Sequence, residues 1–63
     1  MSSKGPYFVF TNKHGNFAVC YYMTNYDGAE PFEELLYYSP WYDSVKEVRA
    51  ECTRANTRWE ETH

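Results

Sequence analysis

The stretch that decides the fold is VKEVRAECTRANTRW, residues 45–59. Its apolar and small residues recur at steps of three and four, which is the spacing of one face of an α-helix. The members of this stripe are Val45, Val48, Cys52, Ala55 and Trp59. Four charged residues fall on the opposite side of the helical wheel: Lys46, Glu47, Arg54 and Arg58. The stretch predicts an amphipathic helix. We expect it to end near Asn56 or Trp59, because Glu60 and Glu61 are unfavourable at the negative end of a helix dipole.

The segment before this helix must supply the surface on which it packs, and its composition indicates β-strands. Tyr7–Phe10 is a short run of strand-forming residues, and Phe17–Thr24 is a longer one. Phe32–Tyr38 contains Glu and Leu, which favour helices, but the run is short and follows two strands. We predict a third strand there, with a single helical turn near Glu33 as the alternative.

Turn-forming residues separate these runs. Asn12–Gly15 is predicted to be a tight turn, since Asn suits its first position and Gly its last. Asn25–Pro31 is predicted to be a loop that contains an Asp27-Gly28 turn. The chain therefore changes direction twice before the third strand.

Three residues are candidates for the N-cap of the helix. Ser39 precedes Pro40, which suits the first helical position. Ser44 is followed three residues later by Glu47, which is the spacing of a capping box. Asp43 is the third candidate.

Together these elements predict an α+β fold. It is a three-stranded antiparallel β-meander with one C-terminal amphipathic helix packed on one face, in the order β-β-β-α. Residues 1–6 are expected to be a flexible N-terminus, residues 7–59 a single domain, and residues 60–63 a C-terminal tail.

Alternation along the second strand divides its residues between two faces. Ala18 and Cys20 are small, so we expect the helix to cross the face that they share with Tyr22. The other face, lined by Phe17, Tyr21 and Met23, is then expected to stay open. An open apolar face of this kind predicts a homodimer formed by a second copy.

Aromatic residues make up 21% of the chain: seven Tyr, four Phe and two Trp. Each large ring can bury about 150–250 Å². One helix on a small sheet cannot cover all of them, so some are expected at the surface, where a partner or a second copy can contact them.

The formal net charge is −3, and the acidic residues concentrate in the middle of the chain. No Lys or Arg occurs between Lys13 and Lys46. This stretch would attract a basic partner and repel phosphate groups. The predicted partner-binding residues combine its acids with nearby tyrosines: Tyr26, Asp27, Glu30, Glu33, Glu34, Tyr37 and Tyr38.

Residues that carry chemistry are few. His14 and His63 have no Cys or carboxylate at the spacing of metal ligands, so neither a metal site nor a cofactor is expected. Cys20 and Cys52 each lie in an apolar pattern and are predicted to be buried thiols, with a Cys20–Cys52 bridge as the alternative. Glu33 and Glu34 would point to opposite faces of a strand, which does not make a catalytic pair. We expect a protein that is not an enzyme.

No apolar run approaches the roughly 20 residues that span a membrane, and the N-terminal residues do not resemble a signal peptide. A cytoplasmic location is therefore expected.

The pattern resembles the YegP-like family of small bacterial proteins of unassigned function, whose unit is a β-meander followed by a helix. The resemblance spans about residues 7–56. It rests on Tyr7-Phe8-Val9-Phe10, Gly15-Asn16-Phe17, Tyr42-Asp43-Ser44, and the stripe Val48, Cys52 and Ala55 with Asn56. The family implies the fold and dimerisation, and it supplies no site residues.

These observations predict a non-enzymatic protein-binding module with an acidic, tyrosine-rich surface for a basic partner. Small acidic aromatic proteins of this kind are typical of phage or mobile-element inhibitors that occupy a basic surface of a host protein. A small dimeric YegP-like protein of housekeeping role is the first alternative. A weak single-stranded nucleic-acid binder that stacks bases on sheet tyrosines is the second, although its groove would ordinarily be basic.

Overall fold

The computed structural model describes residues 5–28 and 30–62, without the side chain of Asp27. Its elements are β1 (Phe8–Thr11), β2 (Phe17–Asp27), β3 (Glu30–Tyr37) and α1 (Val45–Thr62). The strands form one antiparallel sheet in the order β1-β2-β3, and α1 packs against β1 and β2. The smallest dimension, 17 Å, is the depth of one sheet and one helix. The prediction of an α+β fold in the order β-β-β-α is confirmed.

The turn between β1 and β2 is organised by the side chain of Asn12. Its Oδ1 accepts hydrogen bonds from the backbone N–H groups of His14 at 2.8 Å and Asn16 at 3.0 Å. Gly15 has a φ of 84°, a conformation in which a Cβ is strained. The predicted Asn12–Gly15 turn is confirmed, with Asn and Gly in the predicted positions.

The hairpin between β2 and β3 is longer than predicted. Pairing continues to Asp27↔Glu30, so the prediction of a loop over Asn25–Pro31 is wrong. Gly28, with a φ of 81°, lies in the turn, and a two-residue connection lets the strands pair up to it. The prediction of a strand rather than a helical turn near Glu33 is confirmed, because β3 covers that residue.

Ser44 immediately precedes α1 and is the N-cap by position. Its carbonyl accepts the first helical hydrogen bond, from the Val48 N–H at 3.2 Å. Ser39 has a different role, since its Oγ accepts a hydrogen bond from the Val19 N–H at 2.9 Å. Asp43 Oδ1 accepts one from Asn16 Nδ2 at 2.8 Å. Of the three candidates, only Ser44 lies at the start of the helix.

The C-terminal end of α1 differs from the prediction. The helix continues to Thr62, so the predicted end near Asn56 or Trp59, and the predicted tail from residue 60, are wrong for the described residues. The Thr62 hydroxyl donates to the carbonyls of Arg58 and Trp59, at 3.3 and 3.1 Å. The unfavourable dipole effect of Glu60 and Glu61 is small and does not end the helix before them.

The helix lies on the sheet face opposite to the predicted one. Tyr42 pairs with Phe17 through two backbone hydrogen bonds, of 2.8 and 2.6 Å, so the two side chains share a face. From that face the Tyr42 hydroxyl reaches Glu51 of α1 at 3.5 Å. The prediction that α1 crosses the Ala18–Cys20 face is therefore wrong. Phe17, Val19 and Tyr21 lie on the helix face of the sheet.

The buried stripe of α1 matches the predicted one in its centre. Val48 and Ala55 are buried, and Cys52 and Trp59 are half-buried. Val45, in the first turn, is 41% exposed. On the outer side Arg54 pairs with Glu51 at 2.9 Å, and this hydrogen bond lowers the pKa of the Glu51 carboxyl.

One buried residue of the helix is polar and did not belong to the predicted stripe. Asn56 is 4% exposed, and its side-chain amide bonds both backbone groups of Tyr7. Asn56 Oδ1 accepts from the Tyr7 N–H at 3.0 Å, and Asn56 Nδ2 donates to the Tyr7 carbonyl at 3.1 Å. Gly5 packs so closely on Asn56 that an added Cβ would clash with it. Asn56 thus joins the start of β1 to the helix across 49 residues of sequence.

Candidate functional site

The most exposed part of the sheet is the far end of the β2–β3 hairpin, residues 22–27 and 30–35, which we call the ribbon. β1 pairs with β2 only as far as Cys20, so the ribbon has two strands. α1 packs against β1 and β2, and no described Cα of β3 lies within 8 Å of a Cα of α1. Tyr26, near the tip, is 79% exposed. The ribbon extends beyond the core and is open to solvent on both faces.

The acidic residues of the ribbon lie on both of its faces. Glu33 pairs with Thr24, and Glu34 pairs with Met23, so the two carboxylates point in opposite directions, as predicted. Glu34 Oε1 accepts a hydrogen bond from Asn25 Nδ2 at 2.7 Å. β2 and β3 contain no Lys or Arg. The ribbon is therefore negative on each face, with no cation of its own strands to offset the charge.

The seven predicted partner-binding residues do not form a single surface. Pairing places Tyr26, Glu33 and Tyr37 on one face of the sheet. Glu30 and Glu34 lie on the other, together with Tyr38, whose ring contacts Tyr7. The side chain of Asp27 lies outside the described residues. The sequence located the acidic and aromatic segment, but adjacent residues of a strand separate to opposite faces.

Aromatic rings cover the sheet face opposite to the helix. Five of them, which we call the ring face, lie in two contacting sets: Phe8 with Tyr22, and Phe10 with Tyr37 and Trp41. Phe8 stacks on Tyr22 at 5.3 Å, and Tyr37 lies 5.3 Å from Trp41. Rings from both outer segments also approach across the middle strand, with Phe10 6.3 Å from Trp41. Their outer surfaces remain exposed at Tyr22, Tyr37 and Trp41.

The small residues of β2 explain how these rings meet. Ala18 and Cys20 lie on the ring face and are fully buried. Because they are small, side chains from the flanking strands can lean over them. The sequence predicted a helix-packing face at the same two residues, and Phe8, Phe10 and Trp41 were not among the predicted partner-binding residues. The alternation of Phe8 with Phe10 is the signal that pointed to this face.

A second aromatic cluster lies on the helix face. The ring of Tyr7 contacts Tyr21 at 5.5 Å and Tyr38 at 4.7 Å. Burial, and then the negative charges that Tyr38 and Tyr21 acquire on ionising, raise the pKa of the Tyr7 hydroxyl. Tyr21 and Tyr22 are thus on opposite faces, as are Tyr37 and Tyr38. The four tyrosines do not form one platform on which successive bases can stack.

Both cysteines are free thiols. Burial raises the pKa of Cys20 and of Cys52, which lowers the fraction of reactive thiolate at neutral pH. Cys20 lies on the ring face and Cys52 on the helix that covers the opposite face. The alternative of a Cys20–Cys52 bridge required the strand and the helix to bring the two thiols together, and that alternative is wrong. Cys20 is fully buried as predicted, whereas Cys52 is half-buried.

The described residues show neither a metal-ligand cluster nor a membrane-spanning helix. In the ranges 5–28 and 30–62, no three His, Cys, Asp or Glu side chains are grouped as metal ligands are. No helix among the described residues combines the length and the apolar character needed to cross a membrane. What the geometry offers is two kinds of contact surface, the acidic ribbon and the ring face.

Comparisons with protein-family models, with curated proteins and with solved structures found no match to this chain. The resemblance to the YegP-like family stays a prediction.

Proposed function

We propose that this protein is a non-enzymatic protein-binding module that docks on a basic surface of its partner through the ribbon. The proposal rests on two properties of the ribbon: its strands carry acidic residues and no Lys or Arg, and it extends beyond the core. Glu30, Glu33 and Glu34 are all exposed, and neither β1 nor α1 covers them. Surface charge of one sign steers an oppositely charged partner during encounter.

The rings beside these acids supply the short-range part of the interaction. Tyr26 and Phe32 expose apolar area at the tip of the ribbon. Tyrosine is among the residues that most often dominate binding energy at protein interfaces. Charge would thus govern how fast the partner arrives, and the rings would govern how long it stays. Inhibition of a host protein, as a phage or mobile element would need, is the biological role that we propose for such binding.

A second proposal concerns the ring face, which we assign to a second copy of the chain. The earlier expectation of a dimer referred to the open sheet face, and the open face is the one with Phe8, Phe10 and Trp41. Its five rings are uncharged, and Glu33, which pairing places on the same sheet face, lies in the ribbon and outside the ring face. This assembly would suit both the binding module and the YegP-like alternative. Sedimentation should give a dimer at high micromolar concentration, and Tyr37→Glu should give a monomer; a wild-type monomer would contradict the proposal.

Site-specific photo-cross-linking tests the binding surface directly. A photoreactive phenylalanine analogue at Tyr26 should form a specific adduct with the partner from the native lysate. The matched control places the analogue at Thr57, on the exposed side of α1. Equal yields of the same adduct at both positions, or an adduct at Thr57 alone, would contradict docking through the ribbon.

Binding kinetics at two ionic strengths test the role of charge once the adduct identifies the partner. Changing Asp27, Glu30, Glu33 and Glu34 together to Gln should slow association while leaving the fold intact. The difference from wild type should shrink at high salt, because exposed charges are screened over about 10 Å at 0.1 M. Tyr26→Ala or Phe32→Ala should instead speed dissociation, since these exposed rings at the tip of the ribbon contact the partner only in the docked complex. Equal association rates at low salt would mean that the acids only keep the chain soluble.

A further inference from the structure

The outer edge of β3 presents backbone groups that pair with no other strand among the described residues. β3 is the last strand of the sheet, so only its inner edge pairs with β2. The Tyr38 N–H donates to the Val19 carbonyl at 2.8 Å, and this bond identifies which residues of β3 direct their backbone groups toward β2. In an antiparallel ladder the bonded residues alternate with residues whose N–H and C=O point outward. The register of β3 is unbroken, so Glu33, Leu35 and Tyr37 direct their backbone groups away from the sheet.

Pro31 supports this assignment of phase. It lies in β3 and falls in the outward set, two residues before Glu33. Proline has no N–H, and it is tolerated in a strand only where that group would face away from the ladder. Because its missing N–H would have pointed outward, Pro31 removes no hydrogen bond between β2 and β3. The outward N–H donors of β3 begin at Glu33. The open edge is therefore the segment Glu33–Tyr37.

Charge determines which strand can occupy this edge. β3 carries three glutamates, on both faces, and no cation. A second copy paired edge to edge would bring two such strands side by side, and like charges on adjacent strands are destabilising. A segment with Lys or Arg at alternate positions would instead place opposite charges beside Glu33 on one face, or beside Glu30 and Glu34 on the other, according to its register. The same residues that protect the edge from self-pairing favour a basic strand.

We propose that the β3 edge binds an extended, Lys/Arg-bearing segment of the partner as a fourth strand. This inference rests on the proposed function, because it specifies how the basic partner is held. Backbone hydrogen bonds from Glu33, Leu35 and Tyr37 supply part of the affinity, and alternate side chains of the added strand supply specificity. Adding a strand also removes an edge that is otherwise open to aggregation.

The test uses synthetic peptides and amide hydrogen exchange. The probe is a capped heptapeptide that alternates arginine with valine, and its control replaces each arginine with glutamate. In the free protein, the amides of Glu33, Leu35 and Tyr37 should exchange faster than those of Glu34 and Leu36. Adding the basic peptide should slow exchange at the three outward amides, and the acidic peptide should not.

A backbone change separates strand addition from general attraction. The 63-residue chain is short enough for chemical synthesis, so a methyl group can be placed on the Leu35 amide nitrogen. That nitrogen lies on the open edge, and circular dichroism should show an intact fold. We expect this change to weaken binding of the basic peptide about tenfold, because it removes one hydrogen bond and blocks close approach of the strand. A glutamine double variant, Glu33→Gln with Glu34→Gln, should weaken binding only at low salt.

Three outcomes would overturn the proposal, and they are distinguishable. If the basic peptide binds the N-methylated and unmodified proteins equally, strand addition is wrong while the proposed preference for a basic partner stands. If the basic peptide binds no better than the acidic one, strand addition and the proposed preference for a basic partner are both wrong. If the outward amides become protected at high protein concentration without peptide, the edge belongs to a second copy.

Discussion

The two halves of β2 have opposite environments although they form one continuous strand. Residues 18–20 are fully buried, paired with β1 and covered on both faces. Beyond Tyr21 the described side chains are exposed, apart from half-buried Asn25. Both halves are rich in strand-forming residues. The difference arises because β1 begins at Phe8 and pairs no further along β2 than Cys20, and because the helix lies over the first half. The first half therefore belongs to the core, and the second half is where we propose that a partner binds.

The largest effect is expected where the helix closes over the first half. Val48→Asp should unfold the protein, because it places an unpaired carboxylate at a fully buried position. Such changes cost about 4 kcal/mol or more, and a domain of this length has only about 3–9 kcal/mol in total. Thermal unfolding followed by circular dichroism measures the effect. Val45→Asp is the matched control and should melt within a few degrees of wild type; wild-type melting of Val48→Asp would contradict the assignment of the buried helix face.

A smaller loss is expected from the contact that joins the helix to β1. Asn56→Ala removes both hydrogen bonds to Tyr7 and leaves its backbone N–H and C=O without those partners. We expect a loss of about 3 kcal/mol in the free energy of unfolding. Urea denaturation measures it, with Thr57→Ala on the exposed side as the control. A loss equal to that of the control would mean that the hydrogen bonds from Asn56 to Tyr7 do not stabilise the fold.

The comparison between the two halves is tested most directly within β2. Val19→Ala should cost about 2 kcal/mol, because Val19 is among the largest fully buried side chains. Tyr26→Ala, seven positions along the same strand, should change stability by less than about 0.5 kcal/mol. Urea denaturation of both variants gives the two values. Similar losses would show that the ribbon contributes to the core and would weaken its role as a binding element.

The smallest effect is expected at alkaline pH. The pKa of Tyr7 is raised in the folded state, so the native protein holds that proton more tightly than the unfolded chain does. The stabilisation is complete below pH 10, the ordinary tyrosine value, and is lost as the pH rises through the folded pKa. Tyr7→Phe cannot ionise and should show a shallower decline of stability above pH 10, while its stability at pH 7 serves as the reference. An unchanged slope would show that Tyr7 does not contribute to the alkaline loss.

The fold followed from local patterns that need no tertiary information. The stripe around Val48 and Ala55, the Asn12–Gly15 turn and the alternation of β2 predicted the elements and their order. The candidate site was predicted only as a segment of sequence. Charge and aromatic content placed it around Glu33 and Tyr37, but the contributions of Phe10 and Trp41 to the ring face were not predicted, because they depend on which residues the folded sheet brings together.

What the sequence determined by itself was the identity of the elements, because helix and strand periodicities and turn chemistry act over a few residues. What only the tertiary structure decided was which face of the sheet each layer covers. Ala18 and Cys20 suit either a crossing helix or overlying rings, and nothing local distinguishes the two. The choice depended on long-range contacts: the pairing of Tyr42 with Phe17 and the bonds from Asn56 to Tyr7 hold the helix on one face. The rings then cover the other face, and the far half of β2 is left exposed because neither β1 nor α1, as described, extends over it.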